Sequence, residues 1–402
     1  MPEKDFKLYP YRWVVLAVFM FINLTIQILW ISYSPITGQA ASFYQVTDGA
    51  IVFLGMTFMI AFIPLSIPVS WAIDTYGFKK TVSLGAILMS VFGILRGITG
   101  DSYTLVLIST IGIAIAQPFL LNAWTKVPAQ WFSINERATA VGLITLSNLA
   151  GTALGFLLPP EMIKVMPIAT TQLIFGGFAA FSAVLFIILA KEKPATPPCP
   201  AGQEVRSLML DGLKHAFKVK DFWLYLFVIF IGMGIFNGIN LLIEPIVRGR
   251  GFSDQAGTMG ALMVVGGVLG AVLIPPFSDR SHKRKIFLLL GFVLSIPGLI
   301  GLTFAASAWW LYVSAFALGF FIVSASPVGM QYAAEITQPT PEGTSNGIIQ
   351  LFGQASAFLV YLMQIMKGVD NSLTPAMLFS LGLVVVSIIL ILNLKDPKLK
   401  SS

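Results

Sequence analysis

The heptapeptide DTYGFKK occupies Asp74–Lys80 at the end of one long apolar run, and DRSHKRK occupies Asp279–Lys285 at the end of another. Asp74 stands over Asp279, and the basic pair Lys79 and Lys80 over Arg284 and Lys285. A second echo, NERATAVG at Asn135–Gly142 against PEGTSNGI at Pro341–Ile348, keeps nearly the same offset and sets Glu136 over Glu342. Two echoes in register indicate a chain built from one unit written twice. Composition says in which solvent. The 402 residues are 56% hydrophobic and 11% charged, with mean hydropathy +0.84, where a soluble domain carries about 25% charged residues. The bilayer is the expected solvent, and a spanning helix needs about 20 mostly apolar residues. Twelve such runs lie near 12–36, 50–73, 80–98, 103–131, 137–160, 168–190, 221–247, 257–278, 285–305, 309–335, 344–366 and 373–394. The expected fold is an all-α membrane protein of two six-helix, pseudo-symmetric halves.

Short links join most of the runs. The exception is Lys191–Lys220, where KEKPATPPCPAG precedes the basic stretch DGLKHAFKVKD. The prolines mark a linker, and the rest is expected to include an amphipathic surface helix. The domain expectation is therefore 1–190, a linker at 191–220, and 221–402. The net charge of +7 is topogenic in such a chain, and no nucleic-acid partner is expected. With the N-terminus in the cytoplasm, most of the 25 Lys and Arg fall on cytoplasmic segments, while Arg96, Lys164, Arg248, Arg250 and Lys367 fall outside. The expected location is the cytoplasmic membrane, with both termini cytoplasmic. The first apolar run is long and punctuated by polar residues, so it reads as a spanning helix rather than a cleaved signal.

The loop Asp–x–x–Gly–x–basic–basic and the six-plus-six layout resemble the major facilitator superfamily, whose halves are parallel repeats around a midplane site. In that loop the acid can pair with basic residues at the helix ends, and Gly77 allows a tight turn. His282 replaces the glycine in the second copy. The expected cytoplasmic charge network comprises Asp74, Gly77, Lys79, Lys80, Lys126, Glu136, Arg137, Asp279, Arg280, Arg284, Glu335 and Glu342, with Glu335 facing Arg280 or Arg284.

Three stretches narrow the resemblance: LWISYSPI at Leu29–Ile36, PAQWFSINERATAVGLITLSNLAGTALGFLLPP at Pro128–Pro160, and AAEITQPTPEGTSNGIIQLFGQ at Ala333–Gln354. Together they resemble the FLVCR family, the feline leukaemia virus subgroup C receptor-related transporters, in a compact, prokaryotic-looking form. That resemblance implies transport of choline or ethanolamine, with haem and pyridoxine-like vitamins as further family proposals. It implies that Trp30, beside Tyr33 and Ser34, faces a cation site, and that Gln354 lines it. Two family positions differ: Asn237 stands where an aromatic Tyr is expected, and Leu149, next to Asn148, where a Gln is expected.

The residues themselves point to a polar cavity. On a helix, spacings of three and four share a face. Asn23, Gln27, Trp30 and Ser34 form one stripe in the first run, and Asn237, Asn240 and Glu244 another in the seventh. The eleventh run supplies Gln350 and Gln354, the fifth Asn148, and the fourth Gln117, Asn122, Trp124 and Lys126. Buried amides without partners cost about 1–3 kcal/mol, so they are expected to face solute, water or one another. Each also has a plainer use: Asn and Gln as bonds between helices, Trp30 as an interfacial anchor. Glu244 is open between a cation or proton site and an ion pair with Arg248 or Arg250, and Lys126 between the cytoplasmic gate and anion binding.

The favoured reading is a secondary transporter of an amine-bearing cation or zwitterion, working by alternating access as a monomer. The alternative is a proton-coupled carrier of an anionic metabolite, or an exporter, using Lys126 or Arg96. No cofactor or metal is expected: Cys199 is the single cysteine and there are two histidines, His215 and His282. No G-x-S-x-G or H-E-x-x-H occurs, which argues against an enzyme.

Overall fold

The computed structural model of the chain describes residues 8–196, 214–281, 283–338, 340, 342–368 and 371–396. Among the described residues, 12 helical spans are long and apolar enough to cross a membrane. The first six are Arg12–Tyr44, Asp48–Tyr76, Phe78–Ile98, Tyr103–Trp131, Glu136–Met162 and Ile168–Leu189. The second six are Lys220–Leu241, Ser253–Ser281, Arg284–Phe304, Ala308–Ile336, Ser345–Ile365 and Thr374–Leu392. Each expected run is one of these spans. Lipid offers no hydrogen bonds, so the backbone must satisfy itself within each helix.

Several spans are nevertheless interrupted. The first runs as Arg12–Ile31, turns at Ser32 and Tyr33, passes through a 3-10 turn at Ser34–Ile36, and resumes as Thr37–Tyr44. Pro35 brings no N–H to the ladder there. The fourth breaks between Leu121 and Lys126, and the eleventh pauses at Ser356. The seventh ends at Leu241, and Leu242 (φ −107°, ψ 12°) leads into the short helix Ile243–Arg248. Sequence reasoning carried the seventh run unbroken to 247 and kept Ser34 on a continuous stripe. Both expectations are corrected by these breaks.

The chain divides into two compact units. One is Met1–Ser32, Ala40–Thr47 and Phe53–Val205; the other is Tyr33–Gln39, Asp48–Val52 and Arg206–Ser402. In the first unit the fifth span lies against the first: a Cβ on Gly151 would sit 2.2 Å from the Leu24 carbonyl oxygen. In the second unit the eighth span meets the tenth in the same way, a Cβ on Gly270 falling 1.9 Å from the Phe320 carbonyl oxygen. The GTALG and GGVLG stretches thus provide small faces for backbone approach. The first unit's core packs Phe19, Ile22 and Ile26 of the first span with Met89, Ile113, Phe175 and Phe186. The central segment is described only at its ends. Cys199, most of the expected amphipathic helix, and His282 lie outside the described residues.

The echo between halves extends further than the sequence reading took it. Gly77 has φ +89° and ψ 157°, a region that only glycine adopts freely. Its missing side chain leaves room for the Glu192 carboxylate, which accepts from Phe78 N at 3.0 Å and Lys79 N at 2.7 Å. A carboxylate on the first free N–H groups of a helix satisfies donors and complements the dipole. In the other unit Asp396 accepts from Lys285 N at 3.2 Å. Both acids follow the last span of their half, in Lys191–Glu192 and Lys395–Asp396. The neighbouring carbonyls match too: Trp131 Nε1 donates to Lys191 O at 3.1 Å, and the Tyr332 hydroxyl to Lys395 O at 3.0 Å.

Gly77→Ala is expected to lower stability by about 2 kcal/mol through backbone strain and collision with Glu192, and Glu192→Ala by about 1 kcal/mol. The double variant is expected to lose less than both together, because the collision disappears. Thermal unfolding of the purified protein in detergent measures all three.

Candidate functional site

The polar stripe of the first span survives over Asn23, Gln27 and Trp30. Asn23 is fully buried and donates from Nδ2 to Phe19 O, one turn back, at 2.8 Å. Asn148, on the fifth span, does the same to Ile144 O at 3.3 Å, and its Oδ1 accepts from Gln27 Nε2 at 3.2 Å. These bonds orient every amide, since a backbone carbonyl can meet only an NH₂ group. What remains is oxygen: Asn23 Oδ1 and Gln27 Oε1 are buried with no partner. Trp30 is half-buried, and its Nε1 donates to Gly55 O of the second span at 3.2 Å. The indole N–H is therefore used, and the ring face is what the residue can offer a ligand. In the fourth span Gln117 Oε1 and Trp124 Nε1 are buried without partners, while Asn122 donates to Ser66 O at 2.8 Å.

The second unit repeats the pattern. Asn240 is fully buried, donates from Nδ2 to Phe236 O at 3.0 Å, and keeps an unpartnered Oδ1. Its backbone oxygen accepts from the Ser34 hydroxyl, the serine of the interrupted first span. The side chains of Asn237 on the same helix, and of Gln350 and Gln354, six and two residues before the Ser356 break, form no hydrogen bond among the described residues.

Glu244 is buried, not exposed, and both of its oxygens are committed within the second unit. Oε1 accepts from Arg248 Nε at 2.8 Å and from the Ser253 hydroxyl at 2.9 Å. Oε2 pairs with Arg248 Nη2 and accepts from Gly38 N at 3.3 Å. Arg248 also reaches Asp48 through Nη1 at 2.9 Å. The Glu244 hydrogen bond holds the Arg248 pKa above its ordinary value, against the opposing effect of burial. The Glu244–Arg248 spacing of one helical turn was legible in EPIVR; Asp48, Ser253 and Gly38 came from distant segments. Arg250, the other candidate partner, instead donates to Leu302 O at 2.6 Å and Ala305 O at 3.0 Å, and burial lowers its pKa.

The basic loops carry the expected charges with partners that spacing did not specify. In the first unit Asp74 meets Lys126 at 2.9 Å, and Glu136 meets Arg12 at 3.1 Å. Arg137 donates to Ala129 O at 2.9 Å. In the second unit Arg284 pairs with Asp279 and, at 3.0 Å, with Glu335, which also accepts from Gln331 at 3.0 Å. The side chains of Lys79 and Lys80 and the exposed Arg280 make no ion pair among the described residues. The Glu342 side chain lies outside them. Among the described residues no cluster of His, Cys, Asp and Glu could hold a metal.

Glu244 is buried while Arg248 is part-exposed, so removing the arginine strands a buried charge. Arg248→Ala is expected to cost about 3 kcal/mol, and Glu244→Gln clearly less, because the amide oxygen can still accept from Ser253 or Gly38. Adding Glu244→Gln to Arg248→Ala is then expected to restore stability, read as a rise in unfolding temperature over the single arginine variant.

The Major Facilitator Superfamily model matches residues 14–361, with a second match at 253–401. The human choline/ethanolamine transporter FLVCR2 is 28% identical over 374 residues, covering 88% of this chain and 71% of that protein. Mouse choline/ethanolamine transporter FLVCR1 is 30% identical over 389 residues, covering 88% of this chain and 70% of its own length. The crystal structure of the nucleoside transporter NupG superimposes with a TM-score of 0.74 at 13% identity, over 94% of this chain and 98% of that one, a likeness of fold alone. The chain belongs to the major facilitator superfamily, as a multi-pass membrane transporter related to the FLVCR proteins.

Proposed function

We propose that this transporter carries a small amine-bearing cation or zwitterion, of the choline or ethanolamine class, across the cytoplasmic membrane by alternating access. The two functional halves are 1–190 and 221–402, joined by 191–220, with both termini cytoplasmic and the monomer as the working unit. One observation carries the substrate class: Asn23, Gln27 and Asn240 each commit their NH₂ group within the protein and keep a buried oxygen without a partner. Acceptors left over in a membrane interior suit a ligand that brings donors or positive charge. Trp30 adds a ring face, whose attraction for a cation is worth about 0.5–2 kcal/mol. Asn148, Asn237, Gln350 and Gln354 complete the proposed binding groups, and the names of the relatives agree with the class. Asn237, in place of an aromatic side chain, favours a solute with a further hydrogen-bonding group over a bare quaternary ammonium.

The anionic alternative has less to stand on. Lys126 is paired with Asp74, and Arg96 is 1% exposed and bonded to the Leu29 carbonyl. Glu244 is committed to Arg248, Ser253 and Gly38, so it takes no part in holding the solute and carries no coupling proton. Transport is then facilitated diffusion. The charged groups Asp74, Gly77, Lys79, Lys80, Lys126, Glu136, Arg137, Asp279, Arg280, Arg284, Glu335 and Glu342 serve the cytoplasmic gate.

Reconstituted protein is expected to take up radiolabelled choline or ethanolamine at a rate unchanged by an imposed pH gradient. Trp30→Ala is expected to weaken the preferred amine about 2- to 30-fold, with Trp30→Phe between it and the parent. Thermal stabilisation by carboxylates and by no amine would overturn the substrate class, and uptake that tracks the pH gradient would overturn the uncoupled mechanism.

A further inference from the structure

Arg96 lies in the last turn of the third span, at the end that the charge count places outside, and it is 1% exposed. Its Nη1 donates to Leu29 O at 2.9 Å and its Nη2 to the Ser32 hydroxyl at 3.3 Å. The Ser32 hydroxyl lies 3.4 Å from Leu29 O and 3.4 Å from Gln172 Oε1 of the sixth span. Ser32 and Gln172 are fully buried. Three polar side chains thus close on the point where the first span stops.

That point needs them. The helix Arg12–Ile31 leaves its last carbonyls without intrahelical amides, Leu29 among them. Leu29 and Ser32 are fully buried, so water does not replace the missing donor. A guanidinium supplies charge-assisted donors in a fixed fork. Its base is rigid: a Cβ on the adjacent Gly97 would sit 2.3 Å from Leu173 Cα, and one on Gly176 2.4 Å from Gly93 O. The third and sixth spans therefore meet backbone to backbone beneath Arg96.

Trp30 sits between the two residues that Arg96 holds. We infer that Arg96 is a positioning residue for the solute site: by capping the interrupted first span at Leu29 and Ser32, it fixes the backbone on both sides of Trp30. Gly55 O fixes the indole tip at 3.2 Å. A ring fixed at base and tip has little freedom left to lose when a solute docks on its face. The inference rests on the reading of Trp30 as a wall of the solute site.

The test combines hydrogen–deuterium exchange over residues 28–36 with choline uptake by proteoliposomes, on Arg96→Met, Arg96→Lys, Trp30→Ala and the Arg96→Met/Trp30→Ala pair. Arg96→Met is expected to speed exchange at 28–36 while peptides of the ninth span keep their rates. It is expected to raise the choline KM about tenfold, the scale of a misplaced cation–π wall, with the loss in KM rather than in maximal rate. Arg96→Lys recovers most of both, and Arg96→Met adds little once Trp30 is alanine. Unchanged exchange at 28–36, or an equal rise in KM on both backgrounds, would overturn the proposal. If Arg96→Met does not fold, Arg96→Lys and Ser32→Ala must show the same pattern at smaller size, and its absence overturns it. An unchanged KM in Trp30→Ala removes Trp30 as the wall, and with it the solute half of the proposal. The exchange result then still decides whether Arg96 holds the interruption.

Discussion

A helix that stops where it is buried leaves carbonyls and amides with nothing to bond to, at their full desolvation cost. The rest of this structure depends on how that constraint is met. The first span stops at Ile31, and Arg96, Ser32 and Gln172 gather at the stop. The seventh span stops at Leu241, and the Asn240 carbonyl beside the stop accepts from Ser34. Interruptions free backbone groups and demand polar side chains nearby. The polar character of the spans is largely the consequence of where their helices break.

The same economy explains the amides. An asparagine inside a helix can settle its NH₂ on the carbonyl one turn back, as Asn23, Asn148 and Asn240 do. Its oxygen then has no local donor, because the amides of the helix are already used. For these asparagines the atom left without a donor in its own helix is the oxygen, whereas at Trp124 and Gln172 the atom left over is a nitrogen. Such oxygens, in either unit, suit groups that bring donors or positive charge. The charged residues do not alter that, since Glu244, Lys126 and Arg96 all spend their charge or their donors on the protein itself.

At the ends of the spans that bear the basic loops the constraint is different, for water is near and ion pairs are worth less. There the helix starts are capped by acids, Glu192 in one unit and Asp396 in the other, each placed just after the final span of its half. Gly77, with a positive φ and no side chain, leaves the room in which the first of these sits. The loop that decides the fold from sequence owes its glycine to a residue more than a hundred positions away. That partner was invisible to pattern reading because one acid in a short polar segment has no periodicity to mark it.

The sequence by itself determined the solvent, the twelve spans, the duplication and the family. These follow from local hydropathy and repeated spacing, quantities that no distant contact can change. It also determined the stripe of Asn23, Gln27 and Trp30, since helical spacing is a local property. Only the tertiary structure decided where the helices break, which way each amide points, and which partner each charge takes. From spacing alone Glu244 is open to a solute, a proton or either arginine; in the fold its carboxylate meets Arg248, Ser253 and Gly38. Arg96 reads only as a charge at the outer end of the third run until that span is packed against the first. Arg248 lies one turn from Glu244, but Gly38 reaches Glu244, and Leu29 and Ser32 reach Arg96, from segments far apart in the chain. Spacing along a sequence carries no information on such meetings.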